Sequence, residues 1–587
     1  MPVDFNTIRR LQLIGKVYGQ INGIKSQVRK RIDNLYRRRI APETVVSPEV
    51  ARDMARFSFE AGRQIGLMVA RDGTVEMVLV GEPNSIYIPD LPKSRGGRGR
   101  LRGLRFVHTH LKEEPLNQDD LMDLIFLRLD CIAAVRVDER GGAKEVEIAH
   151  IFPGCHGEHS GWEILPPEPC AAPRTDFLQL IGSLEDELEK NRRAESVETR
   201  KDRAILVSVA GSERRDVRAS VKELEELAQA AGITVAETII QRQRQVNPKY
   251  LIGKGKLGEI MVAALQHGVD LLIFDQELNP SQVRAITDTT ELRVIDRTQL
   301  ILDIFAQRAQ SREGKIQVEM AQLKYLLPRL GVKDDALSRL RGGIGVRGPG
   351  ETKLEINRRR IKDRIAHLDR ELTAVRKNRS QRRSRRLRNE LPIISIVGYT
   401  NAGKSTLLNT LTQSRVFVED QLFATLDPTS RRLRFPRDLE VIVTDTVGFI
   451  RDLPSDLLEA FAATLEELHD ADLLLHVVDV SSPQCEEHIR SVEDVLEQLG
   501  LQRKPILLAL NKMDRLSDEE VTRAVRRFGG VPISALSTET LRPLISALED
   551  RVERLVIEEA PEAAAEDSAE EGGAAPEDVA AGESLVL

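Results

Sequence analysis

Cysteine is scarce in this chain. Four of 587 residues are Cys (Cys131, Cys155, Cys170 and Cys485), scattered too widely for a disulfide framework, which excludes a disulfide-stapled secreted module and indicates a reducing compartment. Aromatic residues are also few, at 4% with one Trp. No apolar run approaches the roughly 20 residues of a membrane helix. The opening "MPVDFNTIRRLQLIGKVYG" lacks the apolar centre of a signal peptide. These absences give the expectation of a cytoplasmic protein with no membrane span.

What is present is charge. Asp, Glu, Lys and Arg make up 30% of the residues, against 41% apolar, enough to fold most of the chain. Its length calls for about three or four domains. The net charge of −6 conceals segregation. Arg376, Lys377, Arg379, Arg382, Arg383, Arg385, Arg386 and Arg388 form a dense basic run with no acid inside it, suited to a polyanion such as RNA met by one face. The tail, 558–587, holds acids among Ala, Gly and Pro but no Lys or Arg, and is expected to be disordered.

Residues 1 to about 45 are basic and expected to be helical. Strand-like "IGLMVA", "VEMVLVG", "LRFVHTH", "CIAAVRVD" and "VEIAHIF" follow, closed by the proline-rich "ILPPEPCAAP". From Ile205, "ILVSVAG", "ITVAETIIQ" and "VDLLIFDQEL" alternate with helical patterns and predict a small parallel sheet. Two long charged amphipathic patterns over 297–330 and 352–390 flank "RLRGGIGVRGPGETK" and predict an antiparallel helical hairpin with a glycine-rich tip. The expected fold is multidomain α/β: an extra N-terminal α/β domain (1–195), a small parallel α/β domain (200–295), the hairpin and basic linker (296–390), a P-loop domain with a mainly parallel sheet and helices on both faces (391–557), and the tail.

"PIISIVGYTNAGKSTLLNTL" carries Gly398, four residues, then Gly403, Lys404 and Ser405, between a buried strand and a helix. In that context backbone N–H groups and a helix N-terminus cradle phosphates, with Asn401, Ala402 and Thr406 also on the loop. Lys404 reaches the β/γ oxygens and Ser405 takes Mg²⁺. "VIVTDTVGFI" ends a second apolar strand at Asp445, a carboxylate able to hold Mg²⁺ through water, and Gly448 follows to meet a γ-phosphate. "PILLALNKMD" ends a third strand in Asn511, Lys512 and Asp514; a carboxylate there pairs with the N1 and N2 hydrogens that guanine presents and adenine lacks. Ser534 and Ala535 in "VPISALS" are placed for backbone contacts to the same base. Between these lies "FATLDPTSRR", a switch segment whose Thr425, or failing that Thr429, would complete the Mg²⁺ shell.

Together "GYTNAGKSTLLN", "LFATLDPTSRRL", "DTVGFIRDLP" and "NKMD" resemble the G domain of the HflX family of ribosome-associated GTPases. "NPKYLIGKGKLGEI" and "RLRGGIGVRGPGETKLEINRRRI" resemble that family's own N-terminal domain and linker loop, so the likeness runs from about 200 to 557. The resemblance implies a monomer that binds the large ribosomal subunit and its rRNA, not DNA, and dissociates or rescues stalled or idle ribosomes. It also implies that an Asn at position 401 ligates K⁺. Phe449 stands where Ras-type GTPases carry a water-orienting Gln, which predicts slow hydrolysis by the chain alone. Two alternatives stand beside this reading: a GTP-switched ribosome-binding module in which hydrolysis only resets binding, and a GTPase coupled to an N-terminal metal-dependent peptidase.

The second alternative arises from "LRFVHTHLKEEPLNQDDL". His108, His110 and Asp120, with Glu60 upstream as general base, make a set suited to Zn²⁺ with an open fourth position. The pattern resembles JAMM/MPN metalloproteases, but Asn117 stands where a Ser is usual and the spacing from His110 is one residue short. Cys155, His156, His159 and Cys170 also cluster in sequence without matching a zinc motif.

Overall fold

Short β-branched and leucine-rich runs, bounded by glycine, proline and charged residues, build three sheets. The structure is a computed structural model describing residues 16–89, 91, 101–152, 161–196, 202–211, 217–330, 353–387, 391–412, 429–451, 465 and 468–555. The chain divides into two units, Met1–Arg297 and Thr298–Leu587.

In the first unit, β1 (Tyr18–Gly19), β2 (Ile65–Ala70), β3 (Val75–Val80), β4 (Leu104–His110), β5 (Cys131–Val137), β6 (Ala143–Ile151), β7 (Trp162–Ile164) and β8 (Glu168–Pro169) form a mixed sheet. Its order is β1-β3-β2-β4-β5-β6-β7, with β8 beside β6. The expected helical start is corrected here. Of residues 16–45 only α1 (Ser26–Asp33) is α-helical, whereas β1 pairs in parallel with β3. The apolar spacing Val28, Ile32, Leu35 supports two turns, and Val17 is drawn into the sheet's core instead. Helix α2 (Pro48–Ala61) packs on β4 to β6 on the face of Thr109, α3 (Gln118–Phe126) lies on the opposite face against His108 and His110, and α4 (Phe177–Ser196) adds Phe177 to the core.

A second sheet joins β9 (Arg203–Ala210), β10 (Thr234–Arg242), β11 (Leu271–Phe274) and β12 (Arg293–Asp296) in the order β10-β9-β11-β12, all parallel, as the alternation predicts. Its helices are α5 (Val217–Ala230), α6 (Lys254–His267) and α7 (Pro280–Thr290). The two sheets of this unit meet at α3. Leu121 and Leu124 sit in the first core, while Met122 and Ile125 join Leu257, Ile260 and Met261 of α6 in the second. A Cβ at Gly258 would lie 3.3 Å from Met122 Sδ, so the two helices pack closely here. Polar contacts seal the seam: Arg128 donates to Thr290 O at 3.0 Å, and Arg102 pairs with Glu291 at 3.1 Å.

Helix α8 (Arg297–Arg308) starts at the last residue of the first unit and runs into the second, which continues with α9 (Arg312–Leu326) and the 35-residue α10 (Lys353–Leu387). The first arm of the predicted hairpin is therefore two helices, broken at Ala309–Ser311, where the Ser311 hydroxyl accepts from Gly314 N and starts α9 afresh. Ile316 and Met320 pack on Leu368 and Leu372, and Arg364 pairs with Glu319 while Arg312 pairs with Glu371; that register is antiparallel. The glycine-rich tip at 339–352 lies outside the described residues.

The third sheet comprises β13 (Ile393–Gly398), β14 (Thr429–Arg434), β15 (Glu440–Asp445), β16 (Leu473–Asp479), β17 (Ile506–Asn511) and β18 (Val531–Pro532), ordered β14-β15-β13-β16-β17-β18. Only β14 is antiparallel. Its helices include α11 (Lys404–Thr412), α12 (Cys485–Gln498) and α13 (Asp518–Phe528). The chain leaves β13 toward β15 on one side and returns to β16 on the other, so a crevice opens outside the carboxyl ends of these strands. Among the described residues no helix is long and apolar enough to cross a membrane.

Candidate functional site

The crevice is floored by the turn from β13 into α11. Gly403 has φ +93°, and a Cβ there would lie 2.4 Å from Asn511 Nδ2, so this turn tolerates only glycine. Lys404 is buried at the start of α11 and its Nζ donates to Gly398 O at 3.1 Å and Tyr399 O at 2.8 Å. Burial pushes its pKa down to about 8, with Asp445 partly opposing. A cation held so, against backbone carbonyls, is poised for an anion entering the loop.

Ser405 Oγ donates to Asp445 Oδ2 at 2.7 Å, which brings together the two oxygen ligands expected for Mg²⁺. A hydroxyl and a carboxylate are hard oxygen donors, and the pair fits that ion. Gly448 lies against Lys404; a Cβ there would approach Nζ to 3.0 Å and Thr400 Cγ2 to 2.8 Å. Beyond it Phe449 N donates to Gly398 O at 3.1 Å and Thr400 N donates to Phe449 O at 2.7 Å, so the segment after Asp445 is bridged to the loop through backbone. Phe449 is 2% exposed. It occupies the place of a water-orienting group with a side chain committed to packing.

The opposite wall comes from β17. Asn511 Nδ2 donates to Ala402 O at 2.7 Å, and its Oδ1 accepts from Ala535 N at 2.9 Å, so one side chain ties the phosphate-loop turn to the segment after β18. Lys512 takes φ +65° and pairs with Asp479 at 2.8 Å. Asp514 is exposed. Ser534 N donates to Thr540 Oγ1 at 3.0 Å. Asn401 is exposed at φ +59°, and Thr406 is half-buried on α11. Thr429 opens β14 opposite Asp445, whereas Thr425 lies outside the described residues.

Sequence reasoning missed a second set of contacts. Tyr399 stacks on His488 of α12 at 4.0 Å and its hydroxyl accepts from Arg451 N at 2.8 Å, while Arg451 bonds Glu487 at 2.6 Å. Thr446 Oγ1 donates to Ile396 O. Tyr399, Thr446 and Arg451 lie within the quoted motifs but His488 and Glu487 do not, and the Tyr399–His488 and Arg451–Glu487 contacts form because α12 packs beside β13 and β16.

In the first unit, His108 and His110 alternate along β4 and Asp120 stands in the first turn of α3. The two Nε2 atoms lie 2.8 Å apart, with the Asp120 carboxylate 3.2 and 3.3 Å from them. All three side chains are buried, and their ligand atoms fall within 4.8 Å of one another, close enough to hold a metal ion. His110 Nδ1 faces Glu114 O at 3.1 Å and Pro115 O at 3.0 Å, which fixes the ring so that Nε2 is the nitrogen turned toward His108 and Asp120. Asn117, in the place of the usual Ser, is the N-cap of α3 and forms a capping box with Asp120. Burial lowers the His108 pKa. For Asp120 burial acts the other way, but hydrogen bonds from both imidazoles outweigh it and hold the carboxyl well below the usual range.

Glu60 is a correction. It is absent from the cluster, its carboxylate taken by Arg31 at 3.3 Å and by Arg56 at 3.0 Å, because it lies on the face of α2 turned to α1. Cys155, His156 and His159 lie outside the described residues, and Cys170 is buried in the first core.

A six-stranded sheet of this order, with a buried lysine on the β13–α11 turn and a serine–aspartate pair beside it, defines a P-loop GTPase. Three family models match in sequence order: "GTP-binding GTPase N-terminal" over 218–306, "GTP-binding GTPase Middle Region" over 308–386 and "50S ribosome-binding GTPase" over 393–512. Among curated proteins the chain is 52% identical over 316 residues to GTPase HflX of Caldanaerobacter subterraneus subsp. tengcongensis, covering 54% of this chain and 73% of that one. It is 47% identical over 319 residues to GTPase HflX of Escherichia coli (strain K12), covering 54% and 75%. For GTPase HflX of Alkalihalophilus pseudofirmus the values are 48% over 357 residues, 61% and 84%. The chain belongs to the HflX family of GTPases and is a GTP hydrolase.

Proposed function

We propose that this GTPase binds the large ribosomal subunit and uses GTP binding and hydrolysis to dissociate or rescue stalled or idle ribosomes. The observation that carries the reading is the match of 393–512 to a family described as a 50S ribosome-binding GTPase. It is supported by the basic run at 376–388, which lies on the last turns of α10 up to its end at Leu387. Lys404 takes the β/γ oxygens, releasing the two carbonyls it now holds. Ser405 and Asp445, with Thr425 from the switch segment, hold Mg²⁺, which supplies charge neutralisation at the β- and γ-phosphates. Asp514 reads the guanine edge while Asn511, Ser534 and Ala535 shape the base pocket, and Asn401 ligates K⁺. With Phe449 buried, the chain lacks a water-positioning side chain at that point and the ribosome completes the site.

GTP turnover in K⁺ and in Na⁺ buffer, each with and without purified large subunits, tests this. Strong stimulation by subunits is expected, and K⁺ dependence assigns Asn401; fast turnover by the chain alone would overturn the partner-completed site. A nonhydrolysable GTP analogue that supports one round of subunit splitting would favour the switched binding module instead. A second reading, favoured by the convergence of His108, His110 and Asp120, is that the first unit binds Zn²⁺.

A further inference from the structure

The His108, His110 and Asp120 ligands lie on two elements with different allegiances. β4 is a central strand of the first sheet, flanked by β2 and β5. α3 belongs to both cores, with Leu121 and Leu124 turned to the first and Met122 and Ile125 to the second. An ion bound by both imidazoles and by Asp120 would therefore bond the sheet to the helix at the point where the two layers of the unit join.

Two carboxylates near the cluster are already engaged: Glu60 by Arg31 and Arg56, and Glu147 by Leu116 N at 2.6 Å and Arg136 at 2.8 Å. A zinc hydrolase needs a carboxylate able to take a proton from the bound water, and neither of these is placed for it. The ligands are instead braced as a fixed frame. The carbonyls of Glu114 and Pro115 hold His110, and Asn117 N donates to Asp120 Oδ2 at 2.8 Å. Such outer contacts orient ligands and set their donor atoms.

Helix α3 also meets the start of α6 directly. Asp119 lies 3.7 Å from Lys254, and Met122 packs over Gly258. Both belong to the lysine- and glycine-rich stretch 253–258 that begins α6 at its Gly253 N-cap. Resting on the zinc reading above, we infer that His108, His110 and Asp120 hold one divalent cation of the zinc class as a structural clamp, which fixes α3 and through it the docking of α6 and its lysine-rich N-terminal turn. Two imidazole nitrogens and a carboxylate are the donor set this class of ion takes, water filling the remaining position.

The test uses the full-length chain stripped with a chelator and then titrated with Zn²⁺. Bound metal is counted by elemental analysis, and amide hydrogen exchange is followed in α3 and α6. One zinc per chain is expected. At free zinc near 100 times its Kd, exchange through opening of α3 and α6 is expected to slow about 100-fold. Asp120→Asn removes both effects, while the GTP turnover of the same samples reports that the chain is intact. If no zinc is retained, the metal reading and the clamp both fall. If one zinc binds and is lost in Asp120→Asn, but α6 exchanges at the same rate with and without it, the clamp alone is overturned. Zinc-dependent cleavage of a peptide substrate would overturn the structural assignment in favour of hydrolysis. The wild-type comparison with and without metal decides the matter even where a histidine variant fails to fold.

Discussion

Lys404 makes nucleotide affinity depend on pH in a way an ordinary lysine would not. In the free protein its ammonium is buried, and its pKa falls from 10.5 to about 8. A bound triphosphate would restore the cation, so above pH 8 binding must first take up a proton. A group whose pKa is depressed in the free state and raised in the complex weakens binding as pH rises through the lower value. With a free-state pKa of about 8 and a bound-state pKa above 10, affinity for GTP should fall about tenfold between pH 7 and pH 9. A lysine titrating near 10.5 would produce a change of only a few per cent. The assay is a titration with a fluorescent guanine nucleotide at fixed Mg²⁺ and ionic strength across that range. The Lys404→Arg variant, whose guanidinium stays charged, removes the lysine's contribution but keeps the titration of the nucleotide itself. A ratio between the two proteins that stays flat from pH 7 to 9 would refute the reasoning, since Lys404 would then be no more desolvated than a surface lysine.

Asp514→Asn should weaken GTP roughly 10- to 100-fold and shift preference toward a xanthine nucleotide, because the exposed carboxylate is the group proposed to read the guanine edge; competition binding checks it. Asn511→Ala strands Ala402 O and Ala535 N, so the G domain should lose about 1 to 3 kcal/mol in denaturant melts and GTP affinity should drop. Phe449→Gln places an amide in an apolar site, so it should cost about 2 to 4 kcal/mol in the same melts without raising intrinsic turnover. A fast, stable Phe449→Gln enzyme would mean that the side chain can reach the crevice after all.

Local pattern revealed much of this molecule before any coordinates. Strand ends carrying Asp445 and Asn511, and the loop from Gly398 to Ser405, could be read because each is a residue type at a fixed offset from an apolar run. The alternation of His108 and His110 on one strand face was legible in the same way. Glu60 misled because a carboxylate upstream of a His-x-His strand says nothing about which helix face it occupies, and α1 supplies the arginine that claims it. The double allegiance of α3 was hidden for a related reason. Met122 and Ile125 read as an ordinary apolar stripe, and only tertiary packing decides that they leave the core of their neighbours Leu121 and Leu124. The Tyr399–His488 stack joins residues with no shared motif, and the break between α8 and α9 depends on a single serine cap.

The register of the helical hairpin gives α10 a mechanical property. Arg312, the first residue of α9, pairs with Glu371, so the residues of α10 after Glu371 run past the start of α9. This stretch contains most of the basic run, and in sequence it ends a few residues before β13, whose far end carries the phosphate loop. A 35-residue helix is about 52 Å long. Pivoted at its β13 end by 10°, such a rod would carry its other end through about 9 Å. Leverage of that kind would amplify a small adjustment beside a nucleotide into a displacement on the scale of a helix diameter.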